Sequence, residues 1–561
     1  MDAGRTSRRV LVVLAVLLVT MGLLPGIAAG HDGHGTVGNG TVDASADRHS
    51  IGTGPLANAS GSTELVVRFT PIDEIDADRP DAVIEELDDH AAAEQSAFEA
   101  FAEQHEAVTV ETEFWLANAM LVTVDAETVD GEDLLTVTNV TGVHENVEIE
   151  TFAATSPETT APEATVSETT VSETTPPIDV PSTRAGDVSP PTAAVPQTAD
   201  PAGEHTPGIE LIAAPSAWDR FDTRGAGVTV AVIDTGVDPG HQDIDLAGWA
   251  RFDENGTLVS NDVAEASDPN GHGTHVAGTV AGGAASGTHI GVAPDADVYG
   301  IDTFGAEGTA TFASVLAGME HATATADVDV LQMSLGATGT FDGFTQPVRN
   351  ARAADRIVVA ASGNTGHETS SSPANVYDSL AVGAVRDDRT VAAFSSGERI
   401  NKTAAFRSPP PEWPAHYPVP DVAAPGVDVL SAEAGTTDGY VVFQGTSMAA
   451  PHVSGIAALA IAATDGRIDG DDLQASIVDT TVHPEGASEP DDRYGHGVVD
   501  AEAAVESATE AAPPTPTPTP TPTATPEAIE PATDDSVPGF GVVPVVAALV
   551  LAGLAAGGRR R

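Results

Sequence analysis

The sequence predicts an α/β protein: a parallel β-sheet flanked by helices, with a small α+β domain and disordered linkers. Three observations carry this. Short apolar runs typical of buried strands recur at 228–233, 296–301, 328–333, 356–361 and 380–385. Helical patterns such as 274–283 and 310–326 lie between several of them, and alternation of this kind argues for a helix-covered parallel sheet. The texture also changes abruptly at about residues 152 and 205 and again near 507.

Taken in order, Ser7-Arg8-Arg9, an apolar stretch from Val10 to Leu24 and Ala28-Ala29-Gly30 have the layout of an export signal over 1–30. The paired arginines suit a twin-arginine signal, and a general secretory signal is the alternative. Residues 63–151 regain globular character. Glu64–Phe69 reads as a strand, Asp81–His105 as an amphipathic helix, and Ala119–Val124 and Val143–Ile149 as further strands. Residues 152–204, rich in Thr, Pro, Glu and Ser, lack the large apolar side chains a core needs and read as a linker. The α/β region follows over 205–507, then a second linker at 508–537. Its Thr-Pro repeat (513–526) should be extended and semi-rigid. Residues 538–561 begin Pro-Gly-Phe and end in three arginines. Between these lies an apolar stretch, Gly541 to Gly558, which at 1.5 Å per residue reaches ~27 Å, about a bilayer core.

Charge narrows the function. The formal net charge is −61, from 84 acidic against 23 basic residues, and Lys402 is the single lysine. Such a surface repels itself at low ionic strength, whereas at ~1 M salt the screening length falls to about 3 Å. The composition therefore points to a salt-rich setting, and it excludes nucleic acid as a partner because no basic patch could neutralise phosphates. With no cysteine, disulfides, thiol nucleophiles and cysteine-ligated zinc are also excluded.

Three stretches in the α/β region carry chemistry. Asp234 closes an apolar strand in Ile233-Asp234-Thr235-Gly236, at the strand end where parallel sheets gather ligands. Asp-Thr-Gly also occurs in aspartic proteases, but those need a second carboxylate to share a proton, and no second such triplet stands in a comparable setting. His272 opens Gly273-Thr274-His275-Val276-Ala277-Gly278. Gly273, Ala277 and Ala281 there give one helix face almost no side-chain volume, so it can pack closely. His272 and His275 could also be metal ligands, though no third ligand stands out. Ser447, in Gly445-Thr446-Ser447-Met448-Ala449-Ala450-Pro451-His452, precedes an alanine-rich run. A serine there is ordinarily just a helix opener. It becomes a nucleophile only where a base takes its proton, and a helix start helps by stabilising developing negative charge.

Acid, base and nucleophile in the order Asp, His, Ser, with these flanks, resemble the subtilisin family (subtilases), specifically the halolysin-like members from haloarchaea. The resemblance covers roughly 205–507 and implies a serine endopeptidase. Ser447 would attack, His272 would shuttle the proton and Asp234 would orient the imidazole. Asn364, ending Val358-Val359-Ala360-Ala361-Ser362-Gly363-Asn364, would join the Ser447 amide in an oxyanion hole. It further implies that Ser334-Leu335-Gly336 and the Gly305–Gly308 edge grip an extended substrate between them. Residues 63–151 would be an inhibitory propeptide. The tail resembles PGF-type surface-sorting signals, with a plain anchor as the alternative.

The resemblance implies as partners protein or peptide substrates, the chain's own propeptide, export machinery and an archaeosortase-like processing enzyme, at the cell surface or outside it. No cofactor is needed for the chemistry. Family members often carry a calcium-ligating Asp where Asp243 stands, yet the companion loop 282–287 lacks the usual side-chain amide, so a structural calcium is left unassigned and no metal ligand is named. The stretch from Ser396 to Asp421 is longer than the family pattern, and Pro409-Pro410-Pro411 and Trp413 suggest a stiff exposed loop. The competing reading is a catalytically idle surface protein that keeps the fold for binding.

Overall fold

The first buried run forms the centre of a sheet. β7 (Thr229–Asp234) lies in an eight-stranded sheet of order β19-β16-β14-β12-β7-β10-β8-β9, described by a computed structural model for residues 61–152 and 197–514, apart from 73, 78, 130, 306, 307, 326, 485 and 487–489. The expected signal, most of the first linker, most of the Thr-Pro repeat and the apolar tail lie outside these residues.

Ahead of this sheet, β1 (Ser62–Phe69), β2 (Val108–Phe114), β3 (Ala119–Asp125) and β4 (Val140–Glu145) form an antiparallel sheet of order β2-β3-β1-β4. Helix α1 (Pro80–Ala102) packs against it. One face of the sheet closes over Phe98 of α1. From the other, Val66, Phe114 and Leu121 join a core cluster with Phe312, Leu316 and Phe344 of the larger domain. The expected strand over 143–149 is in fact two. The chain breaks at Asn146-Val147, and β5 (Glu148–Thr151) leaves the module. The break has a cause: Asn146 Oδ1 accepts the Ala313 amide (3.0 Å) and Val147 O the Phe312 amide (2.8 Å). These are free first-turn N–H groups of α3, introduced below.

The rest of the chain builds the large domain. β6 (Gln197–Thr198) pairs with β21, so ordered pairing begins before residue 205. After β7 come β8 (Leu246–Phe252), β9 (Leu258–Ser260), α2 (His272–Ala281), β10 (Asp297–Asp302), β11 (Ala310–Thr311), α3 (Phe312–Ala324), β12 (Val328–Met333) and β13 (Leu335–Thr338). Then follow α4 (Thr345–Ala353), β14 (Ile357–Ala361), β15 (Ser371–Ser372), β16 (Leu380–Val385), β17 (Glu398–Asn401), β18 (His416–Val419), β19 (Val422–Pro425), β20 (Val429–Ala432), β21 (Tyr440–Phe443) and α5 (Thr446–Ala463). Neighbours in the large sheet pair in parallel, except β8 with β9. Strand order reverses direction at β7, whose carboxyl end therefore opens onto a crevice. By length and apolarity α5 could cross a bilayer, yet it is buried through most of its length, packed on α2 and the sheet.

The 396–421 stretch is not an exposed loop. β17 and β18 pair, Trp413 is buried with its indole donating to Asp378 (2.8 Å), and the Lys402 ammonium donates to the carbonyls of Pro410, Pro411 and Trp413. The ammonium supplies three donors in a segment whose prolines have no N–H to offer.

Candidate active site

Asp234 ends β7 and His272 starts α2. The two elements lie unusually close, because a Cβ on Gly273 would sit 2.0 Å from Gly236 O and 3.1 Å from Asp234 Cβ. His272 Nδ1 donates to Asp234 Oδ1 at 2.8 Å, and the same oxygen accepts the Thr235 amide at 2.7 Å. Both side chains are almost fully buried. Burial pulls the imidazole toward neutrality, but the Asp234 charge and hydrogen bond, helped by Asp268, outweigh it and hold His272 above its ordinary pKa. Its Nε2 is buried without a hydrogen-bond partner, which leaves a proton acceptor unused.

Ser447 lies in the first turn of α5, wholly buried. Its backbone is fixed by a polar chain: Ser454 Oγ donates to Gln332 Oε1, Gln332 Nε2 to Ser334 Oγ (2.8 Å), and Ser334 Oγ to Ser447 O (2.7 Å). The hydroxyl departs from the expected bond to His272. It is within hydrogen-bond reach of two carbonyls instead, Ser334 O at 3.1 Å and Phe152 O at 3.3 Å. Asn364 Oδ1 accepts both the Thr446 amide (3.0 Å) and the Thr446 hydroxyl (2.9 Å), which turns its NH₂ toward Phe152 O at 3.4 Å.

Phe152 belongs to the small module, so the module's end fills the crevice. β5 lies between two strands, antiparallel to both. Ile149 faces Ala310 and Glu148 faces Thr311 on β11, while Thr151 faces Leu335 and Glu150 faces Gly336 on β13. Within the strand Ile149 is buried between exposed Glu148 and Glu150, and Phe152, just past the strand's end, is buried again. Gly336 leaves the room required, since a Cβ there would sit 2.3 Å from Ser372 O and 3.0 Å from Phe152 Cζ.

Of the residues singled out in the sequence, Asp234 and His272 are hydrogen-bonded to each other, while Asn364 and Ser447 converge on one carbonyl. Leu335 and Gly336 flank the bound strand, and Ser334 holds the start of α5. Gly305 and Gly308 do not pair with β5; they stand in the turn before β11, at φ 58° and 74°, and Ala310-Thr311 supplies that edge. Sequence reasoning missed Phe152, Thr446 and Asp268. Thr446 lies inside a quoted motif and Asp268 just ahead of another, so both were within reach; Phe152 is brought in from 295 residues away.

The residues weighed as metal ligands are engaged in other contacts. His275 Nε2 is committed to Val429 O (3.0 Å), its ring stacks on Phe443, and burial lowers its pKa to about 3, whereas His272 is committed to Asp234. Asp243 presents Oδ1 to the Ala285 amide (2.6 Å) and Oδ2 to the Tyr440 hydroxyl (2.5 Å). Each oxygen of the Asp243 carboxylate thus already meets a hydrogen-bond donor. Among the described residues, no cluster of three or more His, Asp or Glu is arranged to hold a metal.

A parallel sheet with a carboxylate–imidazole pair, a helix-start serine and an amide aimed at a peptide carbonyl defines a peptide-binding site of the serine-hydrolase type. The chain belongs to the subtilase family, whose family profile matches residues 225–497. It is 38% identical to subtilisin BL of Lederbergia lenta over 252 residues, 45% of this chain and 82% of that one. It is 35% identical to subtilisin DY of Bacillus licheniformis over 305 residues, 53% of this chain and 98% of that one. Against M-protease of Shouchella clausii, also 38% identical, it spans 58% of the relative's length.

Proposed function

We propose that the chain is a secreted or surface-anchored, salt-adapted serine endopeptidase of the halolysin type, acting through Asp234, His272 and Ser447, and that residues 62–152 are both its inhibitor and its first substrate. One observation carries this: β5 sits in the crevice as an added strand, with the Phe152 carbonyl oxygen between the Ser447 hydroxyl and the Asn364 amide.

In this reading Ser447 Oγ turns from the Ser334 carbonyl toward His272 Nε2, gives up its proton there and attacks the Phe152 carbonyl carbon. The oxyanion is held by Asn364 Nδ2 and the Ser447 amide. Asp234 stabilises the imidazolium and fixes its tautomer. His272 hands the proton to the departing Ala153 amine, leaving an acyl-enzyme that water hydrolyses by the same steps in reverse order. Substrates bind mainly through main-chain pairing with 310–311 and 335–336, so many sequences are accepted. Export through residues 1–30 and sorting of the 538–561 tail by an archaeosortase-like enzyme complete the proposal, resting on sequence pattern.

The direct test is labelling by a serine-directed fluorophosphonate. In ~3 M salt the processed protein takes up one label at Ser447, and the label falls away at ~0.1 M salt as self-repulsion loosens the fold. Ser447→Ala takes none. A processed, folded wild type that takes no label would leave the idle binding protein as the better reading.

A further inference from the structure

A third carboxylate adjoins the Asp234–His272 pair. Asp268, in the loop before α2, is 7% exposed. Its Oδ1 accepts from Thr235 Oγ1 (2.9 Å) and from the amides of Asn270 (3.2 Å) and Gly271 (2.8 Å). Its Oδ2 accepts from the Thr274 amide (2.8 Å) and hydroxyl (2.7 Å). Thr235 Oγ1 in turn accepts the Gly273 amide at 3.0 Å. Burial pushes the Asp268 carboxyl up, yet every contact here is a donor, an arrangement suited to the ionised form.

The reach of this network is what matters. Thr235 adjoins Asp234 at the end of β7, while Gly271, Gly273 and Thr274 surround His272 at the start of α2. A carboxylate serving only to close the 268–271 turn would need the Asn270 and Gly271 amides and nothing more. This one ties the strand that carries the acid to the helix that carries the base. It also satisfies a free amide in the first turn of α2, where a negative charge is favoured.

We propose that Asp268 is a positioning residue: it locks Asp234 and His272 in register and sets a buried negative charge beside that pair. The inference rests on the serine-endopeptidase reading. The titratable groups acting on the His272 ring are Asp234 from β7, Asp268 from the preceding loop and His275 on α2 itself, which burial keeps neutral. The sign follows. The base works only when neutral, so activity rises as pH passes upward through the His272 pKa. Removing the Asp268 charge lowers that pKa and moves the acid limb to lower pH.

The test compares processed wild type, Asp268→Asn and Asp268→Ala in molar salt, with rates expressed per fluorophosphonate-titrated site so that misfolded protein does not count. Asp268→Asn is expected to shift the acid limb of kcat/KM to lower pH. It loses less of kcat than the alanine variant, because an amide oxygen still meets the Thr235, Asn270 and Gly271 donors while the NH₂ gives up the Thr274 amide. Asp268→Ala should lose about 10- to 100-fold in kcat at nearly constant KM, as a misplaced catalytic pair does. If the alanine variant does not fold, the near-isosteric asparagine variant decides the matter. An unmoved acid limb with wild-type kcat per site in the asparagine variant would overturn the inference, while wild type that fails to label would overturn the underlying reading instead.

Discussion

Two of the contacts between the small module and the large domain work by different means. At its end, β5 is gripped by main-chain pairing, and only Ile149 and Phe152 bury their side chains. At the turn after β2, recognition is by particular side chains. Leu116 is fully buried, its carbonyl accepts from Asn350 of α4 (2.7 Å), and its amide donates to Glu320 of α3 (2.9 Å). The Trp115 amide lies against the same carboxylate. On the function proposed above, the first contact suits any extended peptide, whereas the second depends on Asn350, Glu320 and the buried Leu116. A cut after Phe152 would therefore leave the module held by the second contact, as an inhibitor outliving its own cleavage.

The cleft half of this comparison breaks most sharply at Asn364. Replacing it with Ala removes the donor aimed at the Phe152 carbonyl, and kcat should fall about 10²–10³-fold with KM little changed, an order established for subtilisin rather than derived from this chain. Steady-state kinetics on the processed enzyme checks this. A loss below about threefold would mean the amide serves only to hold Thr446.

The turn half is tested by pH. Burial at the interface raises Glu320 to about 8, with Asp88 of α1 adding to the rise and the Leu116 and Trp115 amides opposing it. Once the module leaves, the carboxyl returns toward its ordinary value near 4.5. Docking thus takes up a proton. Its affinity is complete below about 4.5 and weakens as pH climbs toward about 8. After the cut, the lag before full peptidase activity should shorten as pH rises from 5 to ~8. In Glu320→Gln, which cannot ionise, that dependence should flatten. A lag equally pH-dependent in both proteins would remove Glu320 from the account.

Much of the fold was legible because the buried strands of a parallel sheet are continuous apolar runs: the bounds expected for β12 and β16 coincide with those found. The candidate site was legible in its motifs, since Asp234, His272 and Ser447 each sit at the mouth of an element whose flanks must be small. What escaped was decided by distant partners. Nothing local marks the break at Asn146-Val147, which exists because α3 offers unpaired amides there. Trp413 looked exposed from its proline neighbours and is buried by Asp378 and the β17–β18 pairing. The Ser447 hydroxyl was expected on His272, but a carbonyl delivered from 295 residues away competes for it.

The central claim, that the module's end lies in the cleft as a substrate, is tested most directly by terminal mass spectrometry of the freshly produced chain in molar salt. The account predicts a first cut between Phe152 and Ala153, giving one fragment ending at Phe152 and another beginning at Ala153, with neither formed by Ser447→Ala. A first cut within 153–196 while the Phe152–Ala153 bond stays intact would contradict it.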